Sequence, residues 1–487
     1  MQHLSKRLSF LFTSTKGLVL VAIAMIALTT AATGTLSGPM REWGITDAVV
    51  RTFGLRLVPA EREGRIILLY HAIAVAVIAI ETYLITDTIP MAGAVRTRIN
   101  STITAGYLLT LIFGLTFAYF GHNWVAHGLY LVGLTLTFYA GVQLAIALWP
   151  WRRDRPAVDR DRAHWGRIDL ERVAFFTMAI ATLGSSIFGG VVGSFYGNGQ
   201  ETFLAENIVR EPFRTSLQLA IIGHLHIMLT LIAIALALLV GRWLKFRGIL
   251  HKISMPLFIF GTVVVSIGAW SVVWIEAAHT IIYVGSTVVL LGALLLVIAG
   301  LDGLVRGNLA AQGIRKATAG QKLSAMLSDP LKFGSLWQMI FMNFVVSFPG
   351  IFMAAKLEDI FRVWSLRQER LILTGHWHVL AGIVATIILF IYADMAGLKG
   401  RARQAFGWII IAGSDLAFAA ASVFSSRRLF VTEHAEAGVV TTATVLMDIG
   451  LGSVLLTLGV LMVWRLLDLF RRRGRWEQEA GSQEVVL

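Results

Sequence analysis

The sequence predicts an all-α polytopic membrane protein with about twelve transmembrane helices. Three observations carry that prediction. The chain has 487 residues, of which 56% are hydrophobic and only 15% charged. Its mean hydropathy is +0.72, far above that of a soluble globular protein of this length. Apolar runs of about 20 residues, the length that crosses a hydrocarbon core of roughly 30 Å, recur along the whole chain.

Taken in order, the runs lie near 17–37, 65–90, 101–120, 124–149, 171–197, 215–241, 250–274, 279–304, 334–355, 371–394, 404–424 and 440–470. Each must close its own backbone hydrogen bonds as a helix, so the bundle is read as one domain, 1–487. The first run is too long for the apolar region of a cleavable signal and lacks a small-residue cleavage site, so it is read as a span.

The formal net charge of +13 does not point to nucleic acid, because the basic residues are not gathered on one soluble face. They alternate between loops. Lys6, Arg7 and Lys16, "RTR" (96–98), "PWRRDRPAVDRDRAHWGR" (150–167), "GRWLKFRG" (241–248), "RGNLAAQGIRKATAGQK" (306–322), "KGRAR" (399–403) and "RRRGR" (471–475) fall on one side of a twelve-span bundle. The positive-inside rule makes that side cytoplasmic, with both termini on it. The sequence has no cysteine, which excludes thioether haem attachment, iron–sulfur clusters and thiolate copper within this chain.

Histidine is the informative residue. An imidazole inside hydrocarbon needs a hydrogen bond, a wet cavity or a metal. A lone histidine near a helix end is more often interfacial or hydrogen-bonded than a ligand; His122, His127, His251 and the loop residue His434 are read that way. His71, His224, His226, His279, His376 and His378 are different. By parity of the spans all six fall in the outer half of the membrane, a coincidence of depth not expected of scattered residues. His376 and His378 are two apart on one helix, as are His224 and His226. Helix residues turn by about 100° each, so members of each pair face opposite flanks. They cannot readily share one metal, but they can serve two centres. Imidazole is a common axial ligand of haem iron, and a haem between helices takes ligands from facing spans.

Twelve spans with "GHWHV" in the tenth and "YH" in the second resemble subunit I of the haem-copper oxidase and nitric oxide reductase superfamily, in order and over most of the chain. "YHAIAVAVIAIETYLITDTIPM" (70–91) resembles the family's second helix, and "LEDIFRVWSLRQERLILTGHWHVL" (357–380) the approach to its "HFHYVL". "SSRRLF" (425–430) resembles the arginine pair that binds haem propionates. The resemblance implies His71 and His378 on a low-spin haem, His376 on a high-spin haem, and Arg427 and Arg428 on propionates. It implies two b-type haems in the inner (cytoplasmic) membrane of a prokaryote. The arginine assignment agrees with charge: an arginine pair at a membrane edge is ordinarily a snorkelling anchor, but here it lies on the outer side, against the positive-inside bias, so a local anionic partner is expected.

The sixth and seventh spans depart from the family. "GHLHIM" (223–228) resembles "GHPEVY", so His224 matches a histidine of the non-haem metal, while His226 replaces a glutamate and Met228 a tyrosine. "SIGAWSVVWIEAAH" (266–279) resembles a stretch ending in "VWAHH", but its paired histidines fall on Glu276 and Ala277, with His279 displaced. His224, Glu276 and His279 form a candidate set for a non-haem iron or copper, and the carboxylate favours iron. His226 is open to a hydrogen bond across the bundle, a proton path or simple packing. Glu369 falls near an acidic residue preceding the family's tenth helix. The acidic entry signature of proton-pumping oxidases is missing.

Three functions of different class remain open at this level. The resemblance implies a terminal reductase of a small gas, nitric oxide ahead of oxygen, with His376, His224 and Glu276 at the reacting centre. An electron-transfer subunit that keeps the haems but not the dinuclear site is the alternative. A haem-free transporter using the histidines as a proton relay is the third. With no soluble docking domain, the first two require an outside donor: a cytochrome c-type or copper-bearing subunit on the outer face, or quinol.

Overall fold

The computed structural model describes residues 9–36, 39–58, 62–151, 164–166, 168–197, 216–361, 363–364 and 366–471. Among them are twelve helices long and apolar enough to cross a membrane. They are α1 (Thr15–Gly34), α2 (Arg62–Thr88), α3 (Gly93–Phe120), α4 (Trp124–Leu148), α5 (Leu170–Gly197), α6 (Ser216–Trp243), α7 (Ile249–Ser271) and α8 (Ala278–Ala311). The chain continues through α9 (Pro330–Ala355, with a wide turn at Met342–Ser347), α10 (Leu366–Met395), α11 (Gly400–Ser426) and α12 (Glu433–Phe470). Lys6, Arg7, most of the basic loop at 150–167 and residues 472–475 lie outside the described residues, so the placement expected for them has no structural account.

Hydropathy located every span, yet several helices run past the apolar stretch. α3 begins at Gly93, so "RTR" is helical. Arg96 there is neutralised by an ion pair with Asp87 at the end of α2. α12 begins at Glu433, which puts His434 in a first helical turn and not in a loop. Basic residues extend helices in this way because their charges satisfy neighbouring helix ends. Arg172 donates to the terminal carbonyls of Ala147 and Leu148 on α4. Arg242 donates to the Thr88 carbonyl and pairs with Glu171 at 2.8 Å. Arg403 of α11 forks onto Asp329, the N-cap of α9, and also reaches Asp394 near the end of α10 at 2.6 Å. Cations set against helix C-terminal carbonyls complement the helix dipole. All these ties gather at one end of the bundle, the basic end.

α6 and α10 form the centre. α6 packs on α2, α5, α7 and α10, and α10 packs on α1, α6, α9 and α11. α10 is the most buried of the twelve and α12 the least. The reason is legible in "VLAGIVATIILFIYA" (379–393): apolar residues run all round the helix, leaving no face suited to water. Close hairpins use glycine. A Cβ on Gly133 of α4 would meet the Thr110 backbone of α3 at 2.5 Å, and one on Gly285 of α8 would come as close to Val265 of α7.

Candidate functional site

His71, His224, His376 and His378 each lie in the N-terminal half of an even-numbered helix, remote from the basic end. Side-chain contacts join α2, α6 and α10 pairwise. His71 of α2 faces His224 of α6, with ring centroids 6.1 Å apart and planes inclined by 20°. Tyr70 of α2 donates its O–H to Nε2 of His378 on α10 at 2.7 Å. Trp377 of α10 donates its indole N–H to Nε2 of His226 on α6 at 3.1 Å. Each edge of this triangle therefore contains an imidazole.

The i, i+2 spacing acts as helix geometry requires. His376 turns to α9, where a Cβ on Gly350 would lie 2.8 Å from its ring, while His378 turns to α2. His224 turns to α5: its Nδ1–H donates to the Ser185 carbonyl at 3.0 Å, and a Cβ on Gly189 would collide with the ring at 2.2 Å. His226, on the opposite flank, meets Trp377.

The wide turn in α9 helps set this arrangement. Pro349 follows the π turn at Met342–Ser347. Proline brings no N–H to the helix ladder and its ring crowds the preceding turn, so the turn opens. The next residue, Gly350, is the one against His376.

Protonation follows from the carbonyl partners. A carbonyl oxygen can only accept, so the Nδ1 atoms bonded to Ile67, Ser185, Ile222 and Thr374 carry the proton in His71, His224, His226 and His378. Each Nε2 then holds a lone pair, the form in which imidazole binds metal. In His226 and His378 that lone pair accepts from Trp377 and Tyr70. In His71 and His224 it accepts no hydrogen bond from any described residue. His376 has no hydrogen-bond partner there either, and packing holds it. These donor sets fit haem iron.

The expected non-haem set is not brought together. Glu276 is exposed in the turn between α7 and α8, and His279 is half-buried in the first turn of α8. Among the described residues no three His, Asp or Glu side chains are grouped as a metal centre. Met228 lies one turn beyond His224 on α6, where the family resemblance would have placed a tyrosine.

The arginine pair has the anionic partner its position called for, and the chain supplies it. Arg427 is buried; its Nε donates to Glu436 Oε1 at 2.9 Å, and Arg428 reaches Glu436 Oε2 at 3.0 Å. Arg427 also donates to the Phe424 carbonyl and lies over its ring. Glu369 is buried at the start of α10. His122 and His127 bond each other at 3.2 Å among Phe117 and Trp124, and His251 is buried 4.0 Å from Glu171.

Sequence reasoning missed Tyr70, Trp377, Ser185, Gly189, Gly350 and Glu436. Tyr70 and Trp377 adjoin singled-out histidines, which was the available signal. Gly189 and Gly350 matter only through what sits opposite them, and the sequence does not record that. Comparison with known proteins finds no matching family model, no curated relative and no solved structure.

Proposed function

We propose that this chain is a haem-binding respiratory subunit of the membrane, a divergent relative of haem-copper oxidase subunit I, that reduces a small gas at a high-spin haem, nitric oxide ahead of oxygen. The observation that carries this is that five histidines lie in the N-terminal halves of α2, α6 and α10, helices joined pairwise there by His71–His224, Tyr70–His378 and Trp377–His226, with no described residue bonded to Nε2 of His71, His224 or His376.

In this reading His376 is the sole protein ligand of the high-spin haem, and His71 is one axial ligand of a low-spin haem. The haems supply the gas-binding iron and the one-electron steps. The chain's own residues hold and orient them: the flank of α9 at Gly350 sets the His376 ring, and backbone carbonyls fix the tautomers of His71 and His224. Nitric oxide is favoured over oxygen because Met228 stands where the family's oxygen reductases resemble one another in carrying tyrosine, and a thioether has no proton or readily yielded electron to give. Two nitric oxide molecules, two protons and two electrons give nitrous oxide and water. Electrons enter from a cytochrome c-type or copper-bearing subunit on the outer face, or from quinol. The basic end faces the cytoplasm of a prokaryotic inner membrane, and the histidines lie in the outer half.

A second reading is favoured by the exposed position of Glu276. If the non-haem metal has no carboxylate ligand there, the chain passes electrons between haems for a larger complex and does not reduce gas itself.

Haem extraction and optical spectra, with elemental analysis of the purified protein, test both. Two haems plus one non-haem iron or copper per chain support gas reduction. Two haems alone support electron transfer, and a colourless protein overturns the haem reading.

A further inference from the structure

The haem reading leaves a cleft between α3 and α4 unused. Near their middles the two helices are pressed together: a Cβ on Gly106 would meet the Thr137 hydroxyl at 2.6 Å, and one on Gly133 the Thr110 backbone at 2.5 Å. Nearer the basic end lies a cleft of about 440 Å³, lined by Val95 and Arg98 of α3, by Tyr139, Gln143 and Ile146 of α4, and by Trp149 just beyond.

Two groups in its wall are unbalanced. Gln143 is buried, yet neither its Nε2 nor its Oε1 has a hydrogen-bond partner among the described residues. A buried amide without a partner costs free energy that water would otherwise have met, so such a side chain calls for one. Arg98 carries an exposed guanidinium with no carboxylate beside it among the described residues, whereas Arg96, two residues earlier, is neutralised by Asp87. Each group is five residues in from a helix end, Arg98 from Gly93 and Gln143 from Leu148, which is about 7.5 Å along each axis. With aromatic rings at the rim, that shared depth is the level of headgroups and glycerol. Tyr139 (53% exposed), Ile146 (62%) and Trp149 (48%) are open to the surroundings of the bundle, so the mouth faces lipid.

We infer that this cleft binds one anionic phospholipid of the leaflet at the basic end, with its phosphate on Arg98, its ester or glycerol oxygens at the Gln143 amide and an acyl chain along Ile146 and Tyr139. A guanidinium grips phosphate through two parallel N–H bonds, and an amide N–H donates to an ester carbonyl. A net-negative headgroup is favoured over a zwitterionic one because it sets no second cation beside Arg98. This site does not depend on haem.

The test is native mass spectrometry of the full-length protein, delipidated in neutral detergent and titrated with phosphatidylglycerol or with phosphatidylcholine of the same acyl chains. One phosphatidylglycerol per chain is expected to bind, and more tightly than phosphatidylcholine. Arg98→Gln should weaken it by about tenfold, the weight of one charge-assisted hydrogen bond. Arg401→Gln, which removes an exposed arginine at the same end on α11, should leave it unchanged. Equal losses in the two variants would mean diffuse attraction to the basic end and overturn the site. Equal binding of the two lipids, equal binding of chain-free glycerol phosphate, or a dimer held through this face in place of lipid would overturn it too. Gln143→Leu adds a readout that charge does not move. Without lipid it should raise the thermal midpoint, because the unpartnered amide is gone; with phosphatidylglycerol that advantage over the wild type should disappear, because the lipid has lost a partner. A leucine variant that phosphatidylglycerol stabilises as much as the wild type overturns the role of Gln143, and the site with it.

Discussion

The phenol of Tyr70 and the imidazole of His378 belong to different spanning helices, and the O–H of one is donated to Nε2 of the other over 2.7 Å. Tyr70→Phe removes that donor and keeps the ring. The expected outcome is a loss of about 1 kcal/mol, the ordinary net worth of a hydrogen bond, seen as a small drop in thermal midpoint in detergent. If the chain binds haem as proposed, a change in the haem spectrum of this variant would show that the bond also orients an iron ligand.

Gly350 offers a way to move His376 without replacing it. A methyl at this position would sit 2.8 Å from the ring, so Gly350→Ala must push the imidazole or bend α9. If the chain binds haem as proposed, carbon monoxide binding to the reduced protein should weaken or vanish, while total haem changes little. Unaltered carbon monoxide binding would count against His376 as the ligand of a high-spin iron.

Arg403 is the shared partner of Asp329 and Asp394. Arg403→Ala leaves Asp329 with Lys332 and Asp394 with the Trp243 indole as their remaining partners, which should cost about 2 kcal/mol. Arg403→Lys should recover only part of this, because an ammonium cannot fork onto both oxygens of Asp329 as the guanidinium does. Equal stability of the alanine and lysine variants would show that the fork contributes nothing.

Glu436 holds both Arg427 and Arg428. Glu436→Gln leaves the buried Arg427 guanidinium without its carboxylate, and a loss of about 2 kcal/mol is expected. If these arginines also bind haem propionates, added haem should restore part of the lost thermal stability. Glu436→Gln protein that haem does not stabilise argues that the pair serves only to tie α11 to α12.

The cysteine-free sequence makes orientation directly measurable. Glu276→Cys, in the exposed turn opposite the basic end, should react with a membrane-impermeant thiol reagent applied to intact cells. Gly320→Cys, in the short helix Ala319–Leu327, should react only after the membrane is opened. The reverse pattern would invert the proposed topology.

The twelve spans could be read from apolar length because lipid imposes one requirement on every segment, whatever its neighbours. Helix ends were less legible. Arg96 and Arg403 look like loop residues until Asp87 and Asp329 are seen beside them. At the site, the opposed faces of His376 and His378, and of His224 and His226, follow from helix geometry alone. Which imidazole meets which does not: the approach of α2 to α6 depends on packing among several helices, and that is what sets His71 against His224. The role of Glu436 was hidden for the same reason, because a glutamate early in α12 has meaning only once α11 brings two arginines to it.

Arg403 also bears on how the protein is made. Asp329, Asp394 and Arg403 belong to three successive membrane segments, and the guanidinium that neutralises both carboxylates is on the last of them to leave the ribosome. Until α11 has entered, Asp329 has only Lys332 of its own helix as a cation and Asp394 only the indole N–H of Trp243, and its arrival ties the three segments through one guanidinium. A nascent chain stopped before Arg403 should therefore remain exposed to membrane quality-control proteolysis, and one stopped after α11 should escape it.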